Sequence, residues 1–470
     1  LNKKKQILKY LSLDILGSAF AWFFFNLYRK NSIESEIFGV AIPFEANLKF
    51  FLGLLFFVLF WVSLFGLVGF YHNPYHKSRL KEFGISITTT LIGSVVLFFI
   101  LIIDDYVAFY HSYYHTLAAI FLLIFLLTYT PRAFITSQTI HRIHKQIIGF
   151  PTLIIGCGNK AQSLFNELNL EKISQGFNII GFINPNSKKC TLPEDISIIG
   201  NLKDLPEIVS RHAIEEIILA LDNDDPITIN QIINSLTPLN LSIRAIPGMN
   251  DILLGRVKLS RIIGTTLVNV SFDLMPTWQA NIKELLDYLF AIVGLVLSAP
   301  IAIVLALIIK FTSKGPIIFK QERIGQHGKP FKIYKFRSMY IDAEANGPAL
   351  SNQIDPRVTP IGRFMRKTRL DEIPNFINVL KGEMSIVGPR PERKYYSDQI
   401  VKLAPHYLLL QKVKPGITSW GQVKYGYAEN IEQMVERLKY DLLYLENISL
   451  YIDFKIMIYT ILTIFKGKGV

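Results

Sequence analysis

Cysteine is almost missing from this chain: Cys157 and Cys190 are the only two in 470 residues. Two isolated thiols exclude a disulfide framework and a thiolate metal centre. The nine histidines form no metal-like cluster, since His141 and His144 read as a linker face and His327 falls in a turn. No recognisable nucleic-acid-binding motif accompanies the net charge of +13, so nucleic acid is not an expected partner. No small-residue cleavage site follows the first apolar block, and more blocks come after it. That block therefore reads as an anchor and not as a signal peptide.

What the chain does have is apolar sequence. Half of its residues are hydrophobic, too many for an ordinary soluble protein, and they come in blocks. Residues 7–27, 50–71, 85–103 and 107–129 each approach the roughly 20 residues that span a bilayer. Lys3, Lys4 and Lys5 precede the first block, and Lys77, Arg79 and Lys81 separate the second from the third. Arg132, Arg142 and Lys145 follow the fourth, whereas the loop after the third carries Asp104 and Asp105 and no basic residue. Basic loops stay on the cytoplasmic side, so the expectation is a four-helix transmembrane bundle over 1–145 with everything beyond it cytoplasmic. Residues 280–470 carry 27 Lys and Arg against 17 Asp and Glu, a surplus suited to anionic lipid headgroups and phosphate-bearing substrates.

From 146 to 245 the pattern changes to alternating strand and helix. TLIIG at 152–156, NIIGFI at 178–183 and EIILAL at 216–221 read as strands, with Gly200 to Val209 as turn plus helix. The alternation predicts a parallel, doubly wound, Rossmann-like α/β domain. Gly156-Cys-Gly158-Asn-Lys-Ala161 follows the first strand in the manner of a dinucleotide turn, a weak signal alone. A working NAD site wants an acidic residue ending the second strand, and that position is Asn184. The domain therefore reads as retained for regulation or assembly. Residues 246–279 read as a linker with short strands.

A fifth apolar stretch, Leu285 to Ile309, contains one charge, Asp287, and one proline, Pro300. Proline removes a helical hydrogen bond, and Ser298 is placed to help satisfy the freed carbonyl. Lys283 lies before the stretch and Lys310, Lys314, Lys320 and Arg323 after it, which argues against a simple crossing. The expectation is a re-entrant helix over 283–311 that bends at Ser298 and Pro300.

In the last third, Asp371-Glu372 precedes Pro374, a residue tolerated only in a helix's first turn. The pair thus sits at or beside a helix N-terminus, where free N–H groups favour phosphate. Adjacent carboxylates also repel, so one ionises less readily or both share a cation. An ordinary acidic first turn would look the same in isolation, but Arg363, Arg366, Arg369 and Arg390 surround the pair, and a guanidinium is the apt group for phosphate because it donates two bonds at once.

The runs GPIIFKQERIGQHGKPFKIYKFRSM at 315–339 and GRFMRKTRLDEIPNFINVLKGEMSIVGPRP at 362–391, followed by KPGITSWGQV at 414–423, closely resemble the bacterial sugar transferase family. These are monotopic polyprenyl-phosphate phosphoglycosyl transferases. The resemblance covers about 280–470 in order and spacing, and the layout upstream is similar to the family's long form, the hexose-1-phosphate transferase type. Ile-Pro-Asn at 373–375 departs from the common Leu-Pro-Gln and leaves the acidic pair intact.

The resemblance implies a mainly α catalytic module over 280–470 that moves a sugar-1-phosphate from a UDP-sugar to polyprenyl (undecaprenyl) phosphate at the inner membrane. UMP is released, and polysaccharide assembly is primed. It implies Asp371 as nucleophile through a phosphosugar–aspartyl intermediate, with Glu372 as metal ligand or general base. Asp371 and Glu372 together would hold Mg²⁺, a hard ion suited to carboxylate and phosphate oxygens. Arg390, on the Gly-Pro-Arg-Pro run, is expected on substrate phosphate, joined by Arg369, Arg337 and Lys335. Glu383 and Gln422 are expected in support. For Arg337 a scaffold role against Glu322 or Glu383 stays open, and Gln422 and Trp420 also suit plain packing. The run 452–466 suits an interfacial helix on the membrane's lipids and a core helix equally. A homo-oligomer is compatible with the sequence.

Two rival readings have distinct requirements. A transporter of a glycolipid or polysaccharide needs paired charges or broken helices inside the spans, and Asp14 is the main charge there. An NAD-dependent sugar-nucleotide enzyme needs an acidic residue near 184 and a Tyr-x-x-x-Lys pair, and 150–245 has neither.

Overall fold

The computed structural model describes residues 2–35, 39–40, 43–101, 111–170, 174–185, 197–222, 232, 236, 241–246, 267–269, 274–343, 347, 350, 355–426 and 428–465. The acidic loop at Asp104 and Asp105, Cys190 and most of the 246–279 linker lie outside them. The chain forms two compact units, Leu1–Phe150 with Glu171–Asn178, and Pro151–Leu170 with Ile179–Val470.

The first unit is built from α1 (Lys3–Tyr28), α2 (Leu48–Val68), α3 (Arg79–Leu101) and α4 (His111–His144). Asparagines start two of them: Asn2 accepts from the Lys5 N–H and Asn47 from the Phe50 N–H, which satisfies otherwise orphaned donors. α2 stops at Gly69, held at φ 89°, a conformation glycine adopts freely. Ala21, Phe57, Trp61, Phe65, Leu97 and Ile124 fill the centre, while Leu52, Phe56, Leu59, Phe99 and Leu122 point outward. Apolar side chains on both faces mark a helix whose solvent is lipid. All four helices, and a fifth at Thr277–Thr312, are long and apolar enough to cross a bilayer. These helices have the length and composition of a membrane protein.

One charge was misassigned from sequence. Arg132 does not flank the fourth block, because α4 continues to His144 and buries it completely. Its Nε donates to Asp14 Oδ1 at 2.6 Å, and its guanidinium lies 3.9 and 4.2 Å from the Phe65 and Phe70 ring centres. Tyr71 donates to the other Asp14 oxygen at 2.8 Å. Asp14 is therefore a paired charge that staples α1 to α4. Breaking such a buried pair typically costs about 3–5 kcal/mol.

The alternating segment, most of it in the second unit, folds as β1 (Phe150–Ile155), α5 (Asn159–Leu170), β2 (Phe177–Asn184), β3 (Ile198–Asn201), α6 (Leu205–Arg211), β4 (Glu216–Leu219), β5 (Ser242–Ala245) and β6 (Val268–Asn269). The six strands lie in the order β3-β2-β1-β4-β5-β6. β1–β4, β4–β5 and β2–β3 are parallel, and β6 pairs with β5 antiparallel. This is the Rossmann-like order. Leu153, Ile155, Ile183, Leu205, Ile208, Ile217 and Leu219 form its core. Gly200, read as a turn, sits in β3, an edge strand of four residues that is too short to show a period.

α7 (Thr277–Thr312) starts six residues before the expected 283 and passes unbroken through Pro300. The Ser298 hydroxyl donates to Leu295 O at 3.4 Å. It does not serve Val296, whose carbonyl the proline frees, because a helical serine reaches back three or four residues and not two. The rest of the module is a hairpin, β7 (Ile318–Ile324) and β8 (Pro330–Phe336), then α8 (Pro360–Thr368), α9 (Asn375–Leu380) and β9 (Ser385–Val387). α10 (Lys394–Leu403), β10 (Gly416–Thr418), α11 (Trp420–Lys424), α12 (Ile431–Glu446) and α13 (Leu450–Phe465) complete it. α13 buries Ile456 and Asp453 and leaves Tyr451, Ile458 and Ile461 exposed.

Candidate active site

The site is organised by a sharp reversal. Arg369 adopts φ 56° and ψ 20°, closing α8 through its N–H to the Arg366 and Met365 carbonyls. A left-handed arginine costs about 1 kcal/mol or more, and such strain concentrates at functional sites. The chain then enters a single tight turn, Leu370–Glu372, and passes Pro374 into α9. Asp371 and Glu372 sit in that turn with only 8% and 9% of their surface exposed.

The two carboxylates have opposite surroundings. Lys335 donates to Glu372 Oε1 at 2.6 Å, Arg390 Nη1 lies 3.5 Å from the same oxygen, and Arg369 Nη1 lies 3.7 Å from Oε2. Burial opposes the charge of Glu372, yet Lys335, Arg390 and Arg369 together hold its carboxyl well below the usual range. Asp371 accepts no hydrogen bond among the described residues. Burial pushes its pKa up to about 6, helped by the charge of Glu372 and restrained by Lys335, Arg366 and Arg390. Burial also lowers the Lys335 pKa, against the pull of Glu372. One carboxylate is thus locked and ionised while its neighbour is unbonded and poised near neutrality, a division that marks separate chemical roles.

Around two carboxylates stand four cations, Lys335, Arg366, Arg369 and Arg390. The surplus positive charge in a buried, low-dielectric place suits a diphosphate. The Glu372 Oε2 atom is buried with no hydrogen-bond partner. Magnesium takes one or two carboxylates and completes its shell from water and substrate phosphate, so the pair fits that ion. Among the described residues no three His, Cys, Asp or Glu gather into an all-protein metal cage.

Backbone devices place the cations. β8 pairs with β7 along one edge only, and Asn378 of α9, fully buried, covers the other edge. Its Oδ1 accepts from the Tyr334 N–H at 3.0 Å, and its Nδ2 donates to the Lys332 carbonyl at 2.8 Å and to Glu383 at 2.7 Å. That amide acts as a short third strand and fixes β8 at Lys332 and Tyr334, immediately before Lys335. Arg390 leaves β9, which runs parallel to β10. Gly388 and Gly416 let those backbones touch, since a Cβ on Gly416 would meet Gly388 N at 2.2 Å. The segment after Arg390 is clasped by Arg323, which donates to Pro391 O at 3.2 Å, and by the Arg437–Glu392 pair at 2.6 Å.

The structure brings Asp371, Glu372, Lys335, Arg369 and Arg390 together. Arg337 is directed elsewhere and reaches neither Glu322 nor Glu383. Its Nη2 donates to the Ser313 carbonyl at 2.8 Å and hydroxyl at 2.7 Å, at the C-terminal end of α7, where helix carbonyls lack partners. Glu383 acts through Asn378, and Gln422 is buried in α11 with its N–H on Ser419 Oγ. Ser298 and Pro300 remain on α7. Sequence reasoning gave no role to Asn378, which reads as any helical asparagine, nor a specific one to Arg366, whose Nε donates to Ser338 Oγ at 3.0 Å.

A buried carboxylate ringed by cations is a site suited to a phosphate-bearing ligand. Residues 278–467 match the bacterial sugar transferase family, and residues 55–247 match a family described as a CoA-binding domain. The chain is 37% identical over 270 residues to the UDP-glucose:undecaprenyl-phosphate glucose-1-phosphate transferase of Klebsiella pneumoniae, covering 57% of each chain. It is 39% identical over 222 residues to the UDP-N-acetylgalactosamine-undecaprenyl-phosphate N-acetylgalactosaminephosphotransferase of Aeromonas hydrophila, covering 47% of this chain and 52% of that one. It is 38% identical over 181 residues to the UDP-glucose:undecaprenyl-phosphate glucose-1-phosphate transferase of Caulobacter vibrioides, covering 38% of this chain and 68% of that one. The chain belongs to the bacterial sugar transferase family. It spans somewhat over half the length of the Klebsiella and Aeromonas relatives.

Proposed function

We propose that this protein transfers a sugar-1-phosphate from a UDP-sugar to undecaprenyl phosphate at the cytoplasmic face of the inner membrane, priming polysaccharide assembly. The observation that carries the reading is Asp371, a buried and unbonded carboxylate beside four cations. An Asp371 oxygen attacks the sugar-linked phosphorus. A new oxygen–phosphorus bond forms, the bond to the bridging oxygen breaks, and UMP leaves with that oxygen. An oxygen of the lipid phosphate then attacks the same phosphorus and displaces the carboxylate, giving the polyprenyl diphosphosugar. Arg390, Arg366 and Lys335 offset charge on the phosphates, and Glu372 holds Lys335, Arg369 and Arg390 in place. Mg²⁺ held by Asp371 and Glu372 would supply further charge neutralisation on the diphosphate. The donor is proposed as a class, because glucose and N-acetylgalactosamine transferases match the chain about equally.

The assay is UMP release on adding UDP-sugars and polyprenyl phosphate to the full chain in detergent. We expect release with at least one common UDP-hexose. NADH formation without UMP would sink the proposal in favour of a sugar-nucleotide oxidoreductase.

We further propose that α7 is re-entrant, entering and leaving at the same membrane face. Its 36 residues would extend about 54 Å if straight, well beyond a hydrocarbon core of roughly 30 Å. Both of its halves nevertheless lie against one module. Ala291 packs with Phe331 and Met384, Asp287 accepts from the Ile386 N–H at 2.9 Å, and Leu305 and Ile309 pack with Phe336, Met365 and Ile373. The opposite side presents Val296, Leu297, Ile303 and Leu307 outward. A helix packed along its length on a cytoplasmic module has no free segment with which to cross. In a background lacking Cys157 and Cys190, Asn281→Cys and Lys314→Cys are expected to react only with reagent on the cytoplasmic side. Periplasmic labelling of position 314 in active protein would refute the re-entrant reading.

A further inference from the structure

The match of residues 55–247 to a CoA-binding domain implies a nucleotide diphosphate on the glycine turn after β1. The residues of this chain do not fit one. In a nucleotide-binding turn the second glycine lets the diphosphate approach the backbone, and the first N–H groups of the helix hold it. Here that place belongs to Asp222, which follows the end of β4. Its Oδ1 accepts from the Lys160 N–H at 2.8 Å and its Oδ2 from the Asn159 N–H at 3.2 Å. A Cβ built on Gly158 would lie 1.3 Å from that same Oδ2, so the carboxylate rests directly over the second glycine. Gly156 presses equally hard on the sheet, with φ 138° and a would-be Cβ 2.1 Å from Ala220 O. Asn184 ends β2 without the acid that grips ribose hydroxyls.

We infer that Asp222 is a built-in anion that caps α5 from the far end of β4, and that the glycine turn of this chain takes neither CoA nor a dinucleotide. The N–H groups and the positive helix end that would bind a diphosphate are spent on an internal carboxylate. An incoming phosphate would have to displace Asp222 and then lie beside its charge. The glycine turn thereby holds β1, α5 and β4 together without a ligand.

The test uses the full chain in detergent or nanodiscs, with hydrogen exchange read on peptides covering 156–165 and titrations of CoA, ADP and inorganic phosphate. Wild type is expected to keep the Asn159 and Lys160 amides protected with no ligand and to show no change on adding CoA or ADP at 1 mM, roughly ten times a weak physiological Kd of about 100 μM. Asp222→Ala is expected to speed exchange there about tenfold, and phosphate or ADP should restore protection in the variant alone. Asp222→Asn, which keeps one acceptor, should fall between the two and guards against a misfolded alanine variant. Saturable CoA or ADP protection of wild type that Asp222→Ala does not strengthen would overturn the inference. So would an Asp222→Ala variant whose exchange matches wild type.

Discussion

Asparagine at position 371 is expected to lower transfer by on the order of 10⁴-fold or more while leaving the module folded. The amide matches the carboxylate in shape and cannot displace a phosphoryl leaving group. Little structural cost should follow, because Asp371 accepts no hydrogen bond among the described residues. The effect on stability should even be favourable at neutral pH. The folded pKa, about 6, lies above the ordinary 3.8, so folding favours the protonated acid. The stability tied to that proton is fully present below about pH 4 and is lost as pH rises through 6. At pH 7 the native fold carries an ionised group it disfavours, and the asparagine variant is relieved of it. Its melting temperature should therefore equal or exceed that of wild type at pH 7, with the advantage gone at pH 4. Wild type should show the matching kinetic signature, kcat/KM falling tenfold per unit as pH drops well below 6. A radiolabelled sugar-phosphate should attach to wild type before any lipid is added, and not to the variant. Normal turnover by Asp371→Asn would remove Asp371 from the chemistry altogether.

A large loss of stability is also expected at Asn378, a residue that touches no substrate in the proposed mechanism. Leucine fits its volume but offers nothing to the exposed edge of β8. The Tyr334 N–H, the Lys332 carbonyl and the Glu383 carboxylate would all lose a buried partner. Each orphaned group costs about 1–3 kcal/mol, so the loss should total at least about 3 kcal/mol. Lys335 lies one residue from Tyr334, and its 2.6 Å bond to Glu372 depends on where β8 rests. A displacement on the order of 1 Å at such a position is worth about 100-fold in rate. Denaturant titration of the full chain, paired with initial rates below the melting range, measures both effects. If Asn378→Leu unfolds and turns over like wild type, the amide bridge is not what positions Lys335.

Much of this protein was readable along the chain. Apolar runs of about twenty residues are dictated by the thickness of a bilayer, and alternating strand and helix by a parallel sheet, so both appear as local periodicities. The acidic pair was equally legible, because Pro374 allows few backbone courses after Asp371-Glu372. Tertiary structure decided which charges actually meet. Arg132 looked like a flanking cation until α4 proved long enough to bury it against Asp14, 118 residues away. Lys335 near the end of β8 and Arg337 just past it are two positions apart, yet the first goes to Glu372 and the second to the end of α7. Asn378 and Asp222 carry no local signal at all. Each satisfies backbone groups that another segment leaves open, and an open backbone group exists only once the elements are packed. Local sequence sets periods, turns and residue chemistry, whereas the partner of a buried polar group is a property of the fold.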